Sequence, residues 1–165
     1  MLDLVIVDDA KEDALLAQRV LVSECKILNP ITLCTNGKDA IGLCEKFHQS
    51  RQPVLFLLDL VMSPVSGLDV LRFWQGSSCR KNSIVVMISG LSDLKAINQG
   101  YQLGAKTFIL KPVTKDDMVS MLNSLGDQVI VHQDSRGYTL HWAADLSETD
   151  TELLQKGKRV LTISA

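Results

Sequence analysis

Polar side chains follow four of the short apolar runs in this sequence, and their types could together perform phosphoryl chemistry at a metal ion. Two adjacent aspartates, Asp8 and Asp9, follow the first run, and Asp59 follows the third. Ser89 follows the fourth run, and Lys111 follows the fifth. Ligands of open α/β sheets bind at the carboxyl ends of the strands. If the runs are parallel strands, three carboxylates, a hydroxyl and an ammonium group meet at one edge of a sheet.

The three carboxylates predict a metal site, because negative charges held close together raise one another's pKa unless a cation compensates them. A hard divalent ion with oxygen ligands, Mg²⁺ or Mn²⁺, suits such a cluster. Lys111 and Ser89 would stabilise the equatorial oxygens of a transferring phosphoryl group. Asp59 is flanked by the other groups and is best placed to act as the nucleophile, which would give an acyl-phosphate.

Each of these residues alone has a simpler structural interpretation. An aspartate at a strand end is often only a helix N-cap, and Asp8 or Asp9 taken singly fits that role at least as well. Ser-Gly after a strand is usually a turn, and Lys-Pro is usually the start of a loop. The conjunction favours one site, because four chain segments supply acid, acid, hydroxyl and lysine at the strand ends.

The elements that must position these residues are five strands and five helices. Nearly continuous apolar runs predict parallel strands covered on both faces, at Leu4–Val7, Ile31–Cys34, Val54–Leu58, Ile84–Ile88 and Thr107–Leu110. Amphipathic helical patterns separate the runs. Capping signals are expected at Ser66, Ser92 and Thr114, and Gly104 is expected to end the fourth helix. The alternation predicts an α/β doubly wound sheet with right-handed crossovers.

Residues 126–165 are predicted to be a small C-terminal extension of a domain that spans residues 1–125. Alternating residues at 128–132 and 138–142 flank Asp134-Ser135-Arg136-Gly137, a pattern typical of a β-hairpin. A short capped helix is predicted at 147–155 and a strand at 160–163. About 40 residues are too few for an independent core. We expect the extension to pack on the domain or to form a homodimer contact, with docking of a kinase or downstream protein as the alternative.

The composition excludes several classes of protein. Of the 165 residues, 46% are hydrophobic and the net charge is −2, which is ordinary for a globular protein and offers no basic footprint for direct nucleic-acid binding. No apolar run approaches the roughly 18 residues of a membrane span, and signal-peptide features are absent, so a cytoplasmic protein that does not enter the membrane is expected. The four cysteines form no CxxC pair and are expected to be free thiols.

Four motifs make the sequence recognisable over roughly residues 1–125. They are Val5-Ile6-Val7-Asp8-Asp9, Leu57-Leu58-Asp59-Leu60-Val61-Met62, Met87-Ile88-Ser89-Gly90 and Phe108-Ile109-Leu110-Lys111-Pro112. As a set, they resemble the receiver domain of two-component response regulators, of the chemotaxis-receiver-like kind. The resemblance implies a flavodoxin-like parallel sheet with the strand order 2-1-3-4-5.

The resemblance also implies roles around the metal. Matched position by position, Asp59 corresponds to the phosphoacceptor and would also contact the metal. Asp9 would be a direct metal ligand and Asp8 a mainly water-mediated one. The backbone carbonyl of Val61 would complete the protein's share of the ligands.

A switch is implied by three further matches. Ser89 takes the place of the switch hydroxyl, Phe108 of the switch aromatic residue, and Lys111 of the lysine that binds the phosphoryl group, with the Lys111–Pro112 bond in cis. A sensor histidine kinase or phosphotransfer protein would donate the phosphoryl group. The surface of the fourth helix, fifth strand and fifth helix would then change. Such a protein is not a conventional enzyme, since it would catalyse only its own phosphorylation and slow autodephosphorylation.

The lifetime of the phosphorylated state is expected to be long. In receivers, the positions two residues after the phosphoacceptor and two after the switch hydroxyl flank the approach of water. Here these positions are Val61 and Leu91, and neither side chain can orient a water molecule by hydrogen bonding.

The loop after Asp59 departs from the receiver pattern. Ser63 stands between Met62 and Pro64, and Ser66 replaces a common aspartate before Gly67. The length of the loop up to Gly67 is preserved. We therefore expect an altered loop shape and no loss of chemistry.

Three other classes of protein share part of this pattern. A haloacid-dehalogenase-type phosphatase needs Asp-x-Asp, but Val61 stands two residues after Asp59. A flavodoxin-like nucleotide binder would need a phosphate loop after the first strand, where the acidic residues from Asp8 to Asp13 would repel phosphate. A constitutive interaction module with a vestigial site stays open as the alternative, on the grounds of Ser63 and the undefined extension.

Overall fold

A parallel sheet of five strands organises the computed structural model, which describes residues 1–90 and 94–145. The strands are β1 (Asp3–Val7), β2 (Ile31–Cys34), β3 (Val54–Asp59), β4 (Ser83–Ser89) and β5 (Phe108–Leu110). Their order is β2-β1-β3-β4-β5, and every neighbouring pair is parallel. The predicted α/β fold and strand order are confirmed.

Five helices cover the two faces of this sheet. They are α1 (Lys11–Arg19, continued by a π-helical segment at Val20–Glu24), α2 (Gly37–Ser50), α3 (Gly67–Gly76), α4 (Leu94–Gln102) and α5 (Lys115–Ser124). Alternate residues of β1 serve two cores. Leu4 and Ile6 lie in the core that includes residues of α1 and α5, whereas Val5 and Val7 lie in the core that includes residues of α2 and α3. Strands buried on both faces explain the continuous apolar runs.

Side-chain caps begin three of the helices. Ser66 with Asp69 and Thr114 with Asp117 form capping boxes at α3 and α5, and Asn36 caps α2. Ala10 occupies the N-cap position of α1 and makes no side-chain cap, so neither Asp8 nor Asp9 takes the simple capping role. Gly104 follows α4 with φ +99°, as expected for a helix end. The predicted cap Ser92 lies outside the described residues.

The predicted hairpin of the extension is present. Strands β6 (Val129–Gln133) and β7 (Tyr138–Trp142) pair antiparallel. Asp134 stabilises the turn, because its Oδ1 accepts hydrogen bonds from the N–H groups of Arg136 and Gly137 at 2.7 and 3.2 Å. The helix predicted at 147–155 and the strand predicted at 160–163 lie outside the described residues.

The hairpin packs on the domain at the end of the sheet opposite the carboxylates. Val129 and Leu140 belong to the same buried core as Leu4. The N–H of Leu2, next to the start of β1, donates to the Leu140 carbonyl at 3.0 Å. The side chain of Asn29 is buried there and bonds to the backbone of both Leu2 and Leu140. The hairpin therefore shares its core with the sheet.

Two further expectations concern the described part of the chain. Its four cysteines are buried free thiols, as predicted. No helix in residues 1–90 and 94–145 is long and apolar enough to cross a bilayer.

Candidate functional site

The carboxyl edge of the sheet brings the predicted polar residues together. Asp59 and Ser89 are the last residues of β3 and β4, and Lys111 directly follows β5. Backbone hydrogen bonds hold these ends in register, from Asp8 N to Cys34 O at 3.0 Å and from Lys111 N to Ser89 O at 3.0 Å. The carboxyl ends of parallel strands lie at the same edge of a sheet, so the parallel pairing brings these side chains together.

Three carboxylates form a compact cluster at this edge. One oxygen from each of Asp8, Asp9 and Asp59 lies within 4.8 Å of the others. Asp8 and Asp59 are each only 4% exposed, whereas Asp9 is open to solvent. The N–H of Ala10 donates to Asp8 Oδ1 at 2.9 Å, and the N–H of Val61 donates to Asp59 Oδ1 at 3.0 Å. This set of hard oxygen donors fits a small divalent cation such as Mg²⁺.

Burial perturbs the pKa of Asp59, the acid that the sequence predicts to be the nucleophile. Burial raises the pKa of the Asp59 carboxyl above its usual range, while the Val61 N–H and the Lys111 ammonium group oppose the rise. The negative charge of Asp8 adds to it. The cluster therefore holds negative charge in a place where a cation is strongly stabilised.

Lys111 supplies positive charge to the cluster. Its Nζ lies 2.5 Å from Asp8 Oδ2, 3.0 Å from Asp13 Oδ2 and 3.2 Å from Asp59 Oδ2. Although burial acts in the opposite direction, hydrogen bonds to Asp8 and Asp13 raise the pKa of Lys111 above its ordinary value. The ammonium group therefore stays charged at neutral pH. The Lys111–Pro112 bond is cis, as expected.

The residues matched to the switch lie deeper. Ser89 is fully buried. Phe108 is half-buried and packs against the core that includes residues of α2 and α3. Neither lines the open cleft of about 300 Å³ that is bordered by Asp9, Ala10, Asp13, Asp59, Val61, Gly90 and Lys111. Val61 is 51% exposed at this cleft, and Leu91 lies outside the described residues.

The unusual loop after Asp59 returns close to its own start. Its Ser63–Pro64 bond is cis. The N–H of Gly67 donates to the Leu60 carbonyl at 3.1 Å. A Cβ at Gly67 would collide with the backbone carbonyl of Asp59 and with Leu60 Cα. Glycine at position 67 therefore allows α3 to begin directly against the backbone of Asp59 and Leu60.

Sequence reasoning missed one residue of the site, Asp13. It lies in the first turn of α1, and its carboxylate contacts Lys111. The sequence did contain a signal for Asp13. Residues four apart share a helix face, and Asp13 is four residues before Ala17, a buried residue of the predicted apolar stripe. Asp13 therefore lies on the side of α1 that faces Lys111, whereas Glu12 is four residues before the more exposed Leu16.

The chain is similar to known proteins of one kind. It is 27% identical over 124 residues to the "Probable transcriptional regulator ycf27" of Porphyridium aerugineum, covering 74% of this chain and 46% of that protein. The chain thus spans less than half the length of that relative. A chain of the CheX–CheY–BeF3–Mg complex from Borrelia burgdorferi matches with a TM-score of 0.64 and 26% identity, over 76% of this chain and 89% of that one.

A second solved structure resembles more of the fold. The bacteriophytochrome response regulator RtBRR matches with a TM-score of 0.70 and 22% identity, over 94% of this chain and 90% of that one. That coverage extends into the C-terminal extension. The family model described as "Response regulator receiver domain" matches residues 4–123. By fold, by the match across most of its length and by the likeness of its solved relatives, this chain belongs to the response regulator receiver domain family.

Proposed function

We propose that the chain is a cytoplasmic signalling receiver that takes a phosphoryl group from a histidine kinase or phosphotransfer protein onto Asp59. The single observation that carries this proposal is the contact geometry around Asp59, where a buried carboxylate faces both an ammonium group and two further acids. Phosphoryl transfer uses acids to hold a cation and a lysine to bind the phosphoryl oxygens.

The transfer is an in-line substitution at phosphorus. A carboxylate oxygen of Asp59 forms the new O–P bond while the P–N bond of the phosphohistidine breaks, and the imidazole nitrogen leaves with the bonding electron pair. Asp59 is the proposed acceptor because its buried carboxylate belongs to the carboxylate cluster and also contacts the Lys111 ammonium group at 3.2 Å. Its burial excludes water from one side of the carboxylate, which favours transfer to the protein over hydrolysis.

A divalent cation held by the carboxylate cluster would complete the charge balance of this reaction. Asp9 and Asp59 would bind Mg²⁺ directly, Asp8 would act mainly through water, and the Val61 carbonyl would be the fourth protein group. When bound, the ion would neutralise charge on the transferring phosphoryl group. The supporting observation is the group of three carboxylate oxygens within 4.8 Å of one another.

Phosphorylation is proposed to reach the surface through β4 and β5. Lys111 and Ser89 would move toward the phosphoryl group, and displacement of Ser89 would leave space for Phe108 to rotate inward. Phe108 pairs with Met87 across these two strands, so the two residues matched to the switch lie on adjoining strands. The altered surface would be that of α4, β5 and α5, which carries the exposed apolar side chains Leu94 and Leu110.

The test is phosphorylation of the purified protein by acetyl phosphate in the presence of Mg²⁺, followed by intact mass. One phosphoryl group is expected on the wild type and none on Asp59→Asn. Asp69→Asn is a matched control, because Asp69 is an exposed acid of the α3 capping box outside the carboxylate cluster. No mass increase on the wild type, or an undiminished increase on Asp59→Asn, would overturn the proposal.

A metal titration distinguishes an active receiver from the vestigial interaction module. Trp74 fluorescence is expected to change with Mg²⁺ in the wild type, with a Trp142→Phe background removing the second tryptophan. Asp9→Ala is expected to weaken the response. Absence of any response to Mg²⁺ would favour the interaction module.

The proposed division of the chain is a receiver at 1–125 and an extension at 126–165, of which the described hairpin packs on the receiver. The downstream partner is best sought by a pull-down with and without phosphodonor, comparing the full chain with one that ends at Gly126. The relative from Porphyridium aerugineum is named a probable transcriptional regulator, but this chain spans only 46% of its length. Val129 and Leu140 of the hairpin belong to the domain core, so the shorter chain must first be shown to be folded by circular dichroism. Partners that bind the full chain and not a folded shorter chain would assign recognition to the extension.

A further inference from the structure

The ammonium group of Lys111 is shared among three carboxylates. It has three N–H donors, and Asp8, Asp13 and Asp59 lie within hydrogen-bond distance of it. The Asp13 contact, at 3.0 Å, is shorter than the Asp59 contact at 3.2 Å. A donor held by Asp13 is not available to another acceptor while that contact lasts.

Asp13 differs from the other two acids in its surroundings. Its side chain is 47% exposed, against 5% for Asp8 and for Asp59. Asp13 also lies outside the carboxylate cluster that would bind Mg²⁺. Among the described residues this cluster consists of Asp8, Asp9 and Asp59. Water screens an exposed ion pair, so the Asp13 contact opens at the lowest cost of the three.

The position of Asp13 is built into the fold. It lies in the first turn of α1, which is packed against the sheet by the buried residues Ala14 and Ala17. Its side chain borders the same cleft as Asp59 and Lys111. A phosphodonor that approaches Asp59 through this cleft must pass the negative charge of Asp13.

We propose that Asp13 is a positioning residue that holds Lys111 before phosphorylation and competes with the phosphoryl group for its ammonium donor. The inference rests on the proposed phosphotransfer to Asp59. Asp13 thereby restrains phosphorylation, because the lysine must leave this carboxylate before all its donors can turn to the phosphoryl oxygens.

Asp13→Asn tests the competition, because it keeps the shape of the side chain and removes its charge. Phosphorylation by acetyl phosphate at saturating Mg²⁺ is expected to become about fivefold to tenfold faster, the size of effect that one unit charge exerts over a few ångströms near water. Asp13→Glu keeps the charge and is expected to stay near the wild-type rate. An unchanged or slower reaction of Asp13→Asn would overturn the proposal.

Glu12→Gln is the matched control for the general effect of charge. Glu12 is the exposed neighbour of Asp13 in the same helical turn, and the described contacts of Lys111 do not include it. Its rate is expected to stay within about twofold of wild type. Equal acceleration in Glu12→Gln and Asp13→Asn would assign the effect to the total negative charge of the first turn of α1. That result would overturn the specific role of Asp13.

A spectroscopic measurement separates this inference from the proposed function. In ¹H–¹⁵N spectra of lysine ammonium groups, the Lys111 signal, assigned by its loss in Lys111→Arg, is expected to weaken in Asp13→Asn and not in Glu12→Gln. An unchanged signal overturns the proposed contact whatever the phosphorylation rates. If the wild type accepts no phosphoryl group, the proposed function and the competition both fail, while the ammonium signal still decides whether Asp13 holds Lys111.

Discussion

Replacing Asn29 with alanine is expected to destabilise the whole domain, because this side chain joins the hairpin to the sheet. Asn29 is only 5% exposed. Its Nδ2 donates to the carbonyls of Leu2 at 2.6 Å and Leu140 at 2.8 Å, and its Oδ1 accepts from the Leu140 N–H at 2.7 Å. Both amide donors and the amide oxygen are therefore engaged in the interior.

The magnitude follows from these three hydrogen bonds. At about 1 kcal/mol for each, their loss lowers the free energy of unfolding by about 3 kcal/mol. Leu140 is fully buried, so the N–H that loses its acceptor has no ready access to water. For a chain of this length, such a loss lowers the melting temperature by about 6–12 °C.

The assay is urea unfolding followed by tryptophan fluorescence in two single-tryptophan backgrounds. Trp74 reports on the core that includes residues of α2 and α3, and Trp142 reports on the hairpin. Asn123→Ala on the exposed face of α5 is the control and is expected to change the free energy of unfolding by less than about 0.5 kcal/mol. A loss below 1 kcal/mol in Asn29→Ala, or a Trp142 transition separate from that of Trp74, would refute the reasoning.

Three other perturbations have clear expected outcomes. Val61→Asn combined with Leu91→Glu is expected to shorten the lifetime of the phosphorylated state about 100-fold, measured by intact mass after donor removal, because polar side chains there orient the attacking water. Gly67→Ala is expected to slow phosphorylation and to lower the free energy of unfolding by about 1–3 kcal/mol, because a Cβ would collide with the Asp59 carbonyl. Burial lowers the pKa of His141. Protonation of His141 therefore favours the unfolded chain. The free energy of unfolding is expected to fall as the pH falls from 7 toward 5 and His141 becomes protonated. His141→Gln is expected to make that fall smaller.

Each of these predictions has its own control. A wild-type phosphoryl lifetime of seconds would contradict the argument from Val61. Gly42→Ala in α2 should cost no stability, since nothing lies within 4 Å of a Cβ placed there. Gln133→Asn, an exposed substitution in the same hairpin that changes no titratable group, should leave the pH dependence in place, and an equal effect of the two substitutions would count against a specific role of His141.

The amino-acid sequence by itself determined the fold class and the edge of the sheet where the polar residues meet. Apolar runs such as Val54–Leu58 are strand-length and continuous, which only strands covered on both faces tolerate. Once the strands are parallel, Asp59 and Lys111 must lie at the same edge, although 52 residues separate them. The capping boxes at Ser66 and Thr114 are equally local, since four consecutive residues contain the whole signal.

Only the tertiary structure decided which groups actually touch. The contact of Asp13 with Lys111 joins residues 98 apart, and it depends on the rotation of α1 about its axis, which packing sets. The attachment of the hairpin through Asn29 joins residues 111 apart and depends on a buried amide that no periodicity marks. Local patterns report which face of an element is apolar. Polar contacts between distant elements require two atoms to be placed to within a fraction of an ångström, and only the packing of the whole chain sets those positions.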